Sequence, residues 1–87
     1  MRITLYTTSW CPSCRMAKHY LASKGLDFTE VDIERTPGAA EIVMGLANGF
    51  RTVPTFIIEG EGQRVVVVDM DRRKLDEALQ TVRGAEK

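Results

Sequence analysis

Two cysteines three positions apart, with proline directly after the first, leave a chain few local conformations. Cys11-Pro-Ser-Cys14 sets that constraint here, close to the start of 87 residues. Proline has no N–H and a fixed φ, so Pro12 belongs at the first position of a helix, where the missing donor needs no partner. Cys11 then becomes the N-cap and Cys14 falls in the first turn, near enough to close a disulfide with little movement of the backbone. The run Ile3, Leu5, Tyr6 ahead of them reads as a strand over residues 2–7. A cysteine pair at a strand-to-helix junction reads as a dithiol for electron exchange.

Helical spacing places Cys14, Ala17 and Leu21 on one face with Tyr20 beside them, while Arg15, His19 and Ala22 point elsewhere and Gly25 ends the helix. Residues 27–33 suit a second strand, and a strand-helix-strand unit of this length implies a parallel crossover. Thr36-Pro37 reads as an N-cap and first position for a second helix, with Ala39, Val43, Leu46 and Ala47 on one stripe and Asn48-Gly49 as its stop. Thr55–Glu59 and Arg64–Val68 are β-branched runs separated by Gly60-Glu61-Gly62-Gln63, which predicts an antiparallel hairpin and hence a mixed sheet. Asp71 caps a third helix whose Leu75, Ala78, Leu79 and Val82 form an apolar stripe, with Met70 and Leu75 placed as a hydrophobic staple. The expected order is β-α-β-α-β-β-α, as one domain over residues 1–87.

The chain carries no net charge and is 44% hydrophobic and 28% charged, the balance of a small soluble domain with a thin core. Its longest apolar stretch, Val65–Val68, falls far short of the roughly 20 residues that span a bilayer, and the N-terminus has no signal-peptide core. No membrane association and a cytoplasmic address are the expectations. In such a reducing compartment, a close cysteine pair is more often catalytic or metal-binding than a structural staple. Zero net charge also hides an asymmetry. Residues 1–26 contain Arg2, Arg15, Lys18 and Lys24 and no acid, which leaves 8 basic against 12 acidic residues in the remainder. An anionic sulfur is favoured in that basic segment, and nucleic acid is not an expected partner at this charge density.

Arg51-Thr52-Val53-Pro54-Thr55 is the second telling segment, because Pro54 directly precedes a strand and cannot donate to its ladder. Taken with Cys11-Pro-Ser-Cys14, the Val31-Asp32-Ile33 strand and the order in which the two motifs stand, the chain resembles the glutaredoxin family of the thioredoxin-like fold across nearly its whole length. In finer detail it looks most like mycoredoxins and other short bacterial glutaredoxin-like proteins. The resemblance implies an α/β three-layer sandwich with a four-stranded mixed sheet and three helices, and a cis Pro54 facing Cys11. Val53 is then implied to offer backbone hydrogen bonds to an extended thiol substrate. It further implies a substrate groove shaped by Trp10, Pro12, Ser13, Arg51, Thr52 and Asp69 around Val53 and Pro54.

The activity implied is thiol-disulfide exchange. Cys11, facing the free N–H groups of Ser13 and Cys14 and the positive end of the helix dipole, is the nucleophile, and Cys14 is the resolving thiol. Co-substrate and partners are a low-molecular-weight thiol of the glutathione or mycothiol type and oxidised or S-thiolated proteins. No tightly bound cofactor or metal is expected, and the protein is expected to be a monomer. A related reading is a thioredoxin-like protein-disulfide reductase fed by a flavoprotein such as thioredoxin reductase, which Trp10 before Cys11 favours. A reading of another class is a dimeric module sharing an iron-sulfur cluster or zinc through two Cys11 residues, since one chain has too few thiol ligands. Two departures from the family pattern stand out. Ser13 occupies a position where many members have Tyr, removing an aromatic wall, and Val67–Asp71 lacks the Gly-Gly pair that often lets glutathione approach the last helix, leaving Asp69 or Asp71 for that role. His19 reads as a surface histidine and Tyr6 as core, while Arg51 and Lys18 are candidate partners for substrate carboxylates. Trp10 either edges the groove or covers the sheet.

Overall fold

A computed structural model describes residues 1–85. Seven elements follow in chain order: β1 (Arg2–Thr7), α1 (Pro12–Ser23), β2 (Thr29–Asp32), α2 (Ala39–Leu46), β3 (Thr55–Gly60), β4 (Gln63–Val68) and α3 (Arg72–Ala85). The strands form one sheet in the order β2-β1-β3-β4. β1 runs parallel to β2 from Thr4↔Thr29 to Thr7↔Asp32, and antiparallel to β3, which pairs antiparallel with β4. The mixed sheet and the element order are those expected.

Period-two alternation sorts the strand residues onto two faces. Ile3, Leu5, Phe56, Ile58 and Val67 meet Ala17 and Leu21 of α1 and Leu75, Ala78, Leu79 and Val82 of α3 in the larger core. Tyr6, Ile57 and Ile33 meet Ala39, Ala40 and Val43 of α2 on the opposite face. Three layers result, with β1 and β3 buried in the middle. Each large aliphatic or aromatic side chain so buried contributes about 1.5–3 kcal/mol.

The helix ends explain the loops. At the end of α1 the Leu26 N–H bonds the Leu21 carbonyl at 3.1 Å and the Gly25 N–H bonds that of Ala22 at 3.0 Å, with Gly25 at φ 69°. This is a Schellman closure, and only glycine takes that φ without strain. Asn48, the residue type that best tolerates the left-handed region after glycine, sits at φ 54° after α2, where Gly49 bonds back to Met44 at 2.7 Å. Asp71 caps α3 as expected, its Oδ1 accepting from the Lys74 N–H at 3.2 Å, and Met70 packs on the core that contains Leu75.

Three local expectations change. The second strand begins at Thr29 rather than at residue 27, because the parallel ladder starts only at Thr4 of β1. The N-cap of α2 is Gly38 at φ 83°, without a side-chain bond, rather than Thr36. Thr36 instead closes a turn in which its carbonyl accepts from the Ala39 N–H at 3.1 Å. The hairpin loop is only Glu61-Gly62, since Gly60 and Gln63 still pair, and Gly62 takes the positive φ of 71°. Among the described residues no helix is long and apolar enough to cross a membrane.

Candidate functional site

The site begins where β1 hands the chain to α1. Cys11 is extended at φ −86° and ψ 112°, and Pro12 starts the helix. The Cys11 sulfur accepts the Cys14 N–H at 3.1 Å. Of the two helix N–H groups expected to face this sulfur, that of Cys14 makes the bond. On its other side the Cys11 thiol points to the Val53 carbonyl at 3.8 Å, so the two sequence motifs, 42 residues apart, meet at one atom. The Val53–Pro54 bond is cis.

Cys11 is 5% exposed and Cys14 1%. Burial, reinforced by the hydrogen bond and charge of Cys11, pushes the Cys14 thiol up to about 12, against a smaller opposing pull from the Thr8 backbone and the Lys18 charge. At neutral pH Cys14 is therefore a protonated thiol. Both cysteines are free and buried.

The loop carrying Val53 is held from two sides. The Thr55 hydroxyl donates to the Thr52 carbonyl at 2.7 Å. The Asp69 N–H donates to the Pro54 carbonyl at 2.8 Å, with Asp69 at φ 71° and its carboxylate accepting from the Met70 N–H at 2.8 Å. The end of β4 is thus tied to the proline opposite Cys11, which brings Asp69 near the site. Pro54 is buried, Thr52 and Val53 are half-buried, and Asp69 is exposed.

Around this centre, Pro12 is exposed and Ser13 half-buried in the first turn of α1. Trp10 is 65% exposed, and its indole N–H donates to Glu34 at 3.1 Å, so it reaches along the β2–α2 turn instead of covering the sheet. Arg51 is exposed and makes no ion pair among the described residues. Lys18 is occupied by Glu30 at 3.1 Å, and Glu30 also accepts the Thr7 hydroxyl at 2.8 Å. His19 is exposed and Tyr6 lies in the smaller core, as expected of both. No group of three or more His, Cys, Asp or Glu side chains able to hold a metal occurs among the described residues.

One neighbour of the thiols went unread in the sequence. Thr8 is 6% exposed, its carbonyl accepts the Cys11 N–H at 3.4 Å, and its buried hydroxyl finds no partner among the described residues. A second threonine after a strand carries no pattern that marks it as buried; the signal was its place three residues before Cys11.

A β-α-β-α-β-β-α chain with a dithiol on the first turn of α1 and a cis proline opposite defines the thioredoxin-like class, and solved structures agree. The glutaredoxin-like protein NrdH-redoxin from Escherichia coli superposes with a TM-score of 0.71 at 31% identity, over 88% of this chain and 93% of that one. The sequence model of the glutaredoxin family matches residues 3–63, and the chain belongs to that family. Two sequence relatives illustrate its neighbourhood. A glutaredoxin-family protein of Mycobacterium tuberculosis is 47% identical over 53 residues, a stretch that spans 61% of this chain and 63% of that relative. The E. coli glutaredoxin-like protein NrdH is 40% identical over 57 residues, covering 66% of this chain and 68% of its own.

Proposed function

We propose that this protein is a thiol-disulfide oxidoreductase that reduces mixed disulfides between proteins and a low-molecular-weight thiol of the glutathione or mycothiol type. The observation that carries this reading is the Cys11 sulfur, held between the Cys14 N–H and the Val53 carbonyl. The helix N–H orients the sulfur toward the site opening, and the thiolate is the form that attacks a disulfide. The Cys11 thiolate attacks the small-thiol sulfur of the mixed disulfide, the client sulfur leaves and takes a proton, and the small thiol remains bonded to Cys11.

Release follows by one of two balanced routes. Cys14, losing its proton, attacks the Cys11 sulfur, so that the small thiol departs reduced and the Cys11–Cys14 disulfide holds the oxidising equivalents. Alternatively a second small thiol attacks, leaving as the symmetric disulfide and restoring the Cys11 thiol. The state of Cys14 bears on this choice. Two of the causes that raise it, the hydrogen bond to Cys11 and the Cys11 charge, vanish once Cys11 is in a mixed disulfide, while burial persists. Formation of the intermediate thus partly frees the resolving thiol. The Val53 backbone pairs with the extended substrate, Thr52 and Pro54 shape its seat, Pro12 and Ser13 border it, and Trp10, Arg51 and Asp69 lie around the rim. A monomer in a reducing cytoplasm suits this chemistry.

A second reading is favoured by one comparison: the E. coli NrdH-redoxin is described as having a thioredoxin-like activity profile. On that reading the protein reduces protein disulfides and takes its electrons from a flavoprotein reductase. The deciding experiment measures reduction of mixed disulfides carrying glutathione or mycothiol by wild type, Cys11→Ser and Cys14→Ser, beside a coupling to thioredoxin reductase. Turnover with one thiol, loss with Cys11→Ser and retention with Cys14→Ser are expected. Turnover with the reductase alone, requiring both cysteines, replaces the main reading by the second.

A further inference from the structure

Where α1 continues past the thiols, a surface groove of about 560 Å³ lies between α1 and the start of α3. Met16, Tyr20 and Met70 give it an apolar floor, and Arg15, His19 and Arg72 stand along its rim. Met16 is 61% exposed, which for a methionine beside two arginines leaves an apolar surface with a cationic border. We propose that this groove docks an acidic segment of the client protein, one that carries an aliphatic or aromatic side chain for the floor and Asp or Glu for the rim. The proposal rests on the redox reading of Cys11 and deepens it by naming the recognition surface for clients.

Charge supports this occupant. Neither Arg15 nor Arg72 forms an ion pair among the described residues, whereas the other cations near α1 are matched, Lys18 to Glu30 and Lys24 to Asp76. Asp76 also accepts the Tyr20 hydroxyl, and that bond above all, with the charges of Lys24 and Arg72 adding to it, holds its carboxyl below the usual range, so its charge is already answered. The Arg72 guanidinium lies 5.1 Å from the centre of the Tyr20 ring, which holds it at the rim. Arg15 and Arg72 are therefore left facing outward across an apolar floor. Acidic groups meeting them would dock with their charges paired, whereas basic ones would meet like charge.

Connectivity places the groove within reach of a client whose mixed disulfide lies at Cys11. Arg15 follows Cys14 directly and bonds the Cys11 carbonyl through its backbone N–H at 3.3 Å. Met70 on the other wall follows Asp69, whose N–H is tied to the Pro54 carbonyl at 2.8 Å. Both walls start at residues that border the thiols, so an extended chain leaving the Cys11 site enters the groove within a few residues, each adding at most about 3.5 Å.

The test uses pre-reduced protein in single turnover against three disulfides: a peptide with Glu and Leu flanking its cystine, the same peptide with Lys for Glu, and neutral bis(2-hydroxyethyl) disulfide. The acidic peptide is expected to react about tenfold faster than the basic one at low salt, with the preference shrinking as salt screens it. Arg15→Glu with Arg72→Glu should abolish or invert that preference, and Met16→Ser should slow both peptides, while the neutral disulfide stays within about twofold of wild type in every variant. Equal rates for the two peptides, or a preference that survives the double charge reversal, overturns the docking proposal and leaves the redox reading standing. Failure of wild type on the neutral disulfide overturns the redox reading and the docking proposal together.

Discussion

Cys14 and Thr8 are each buried beside Cys11, and each has a consequence that can be measured. The Cys14 thiol ionises in the folded state only near pH 12, against 9.0 for an ordinary thiol, chiefly because of burial. The unfolded chain thus releases this proton first as pH rises, and the native state holds it. Stability contributed by the protonated thiol is complete below about pH 9 and is lost as pH climbs toward 12. Cys14→Ala should therefore flatten the decline of stability between pH 9 and 11, measured by urea unfolding; a slope equal to wild type would contradict it. Thr8 carries the opposite kind of burden, a buried hydroxyl with no partner among the described residues. Replacing it with the nearly isosteric valine should raise stability by about 1 kcal/mol, seen as a higher urea midpoint at unchanged slope. At this scale the cysteines were legible from their short-range spacing and Pro54 from its place before a strand, whereas Val53 entered only through the family resemblance. Thr8 was not legible, since the burial of a polar residue after a strand depends on what packs over it from elsewhere in the chain.

Elements follow local rules at most of their ends. Gly25, Asn48, Asp71 and Pro12 each sit where backbone stereochemistry or capping assigns them, so both ends of α1, the end of α2 and the start of α3 could be read residue by residue. Asp71→Ala removes the acceptor for the Lys74 N–H and should lower stability by about 1 kcal/mol, while Asp71→Asn should retain most of it. Thermal unfolding of the two variants checks this. The start of α2 broke the pattern. Thr36-Pro37 has the composition of a cap and first position, yet the chain makes a turn there and enters the helix two residues later, after Gly38 at φ 83°. The start of β2 is likewise set by its partner, because a strand exists only where the neighbouring ladder can pair with it.

At the scale of the whole molecule, the larger of the two cores is shared by three strands and two helices. Phe56 is fully buried in it, on β3, between the sheet and the α1–α3 layer. A chain of this size has a stability of about 4–13 kcal/mol, so the roughly 3–5 kcal/mol lost on Phe56→Ala removes a large share. Circular dichroism in urea should show the midpoint falling by about a quarter or more, whereas truncation of the exposed Phe50 should leave it nearly unchanged. Order of elements, strand alternation, the apolar helix stripes and the dithiol at a helix start were all determined by the sequence itself, because each follows from periodicity or from proline and glycine stereochemistry over a few residues. The tertiary structure alone decided that Val53 meets the Cys11 sulfur, that the end of β4 ties back to Pro54, that Cys14 is dry enough to hold its proton, and that two unpaired arginines border a groove between α1 and the start of α3. Those are relations between atoms distant along the chain, and burial and field at a point depend on everything packed around it.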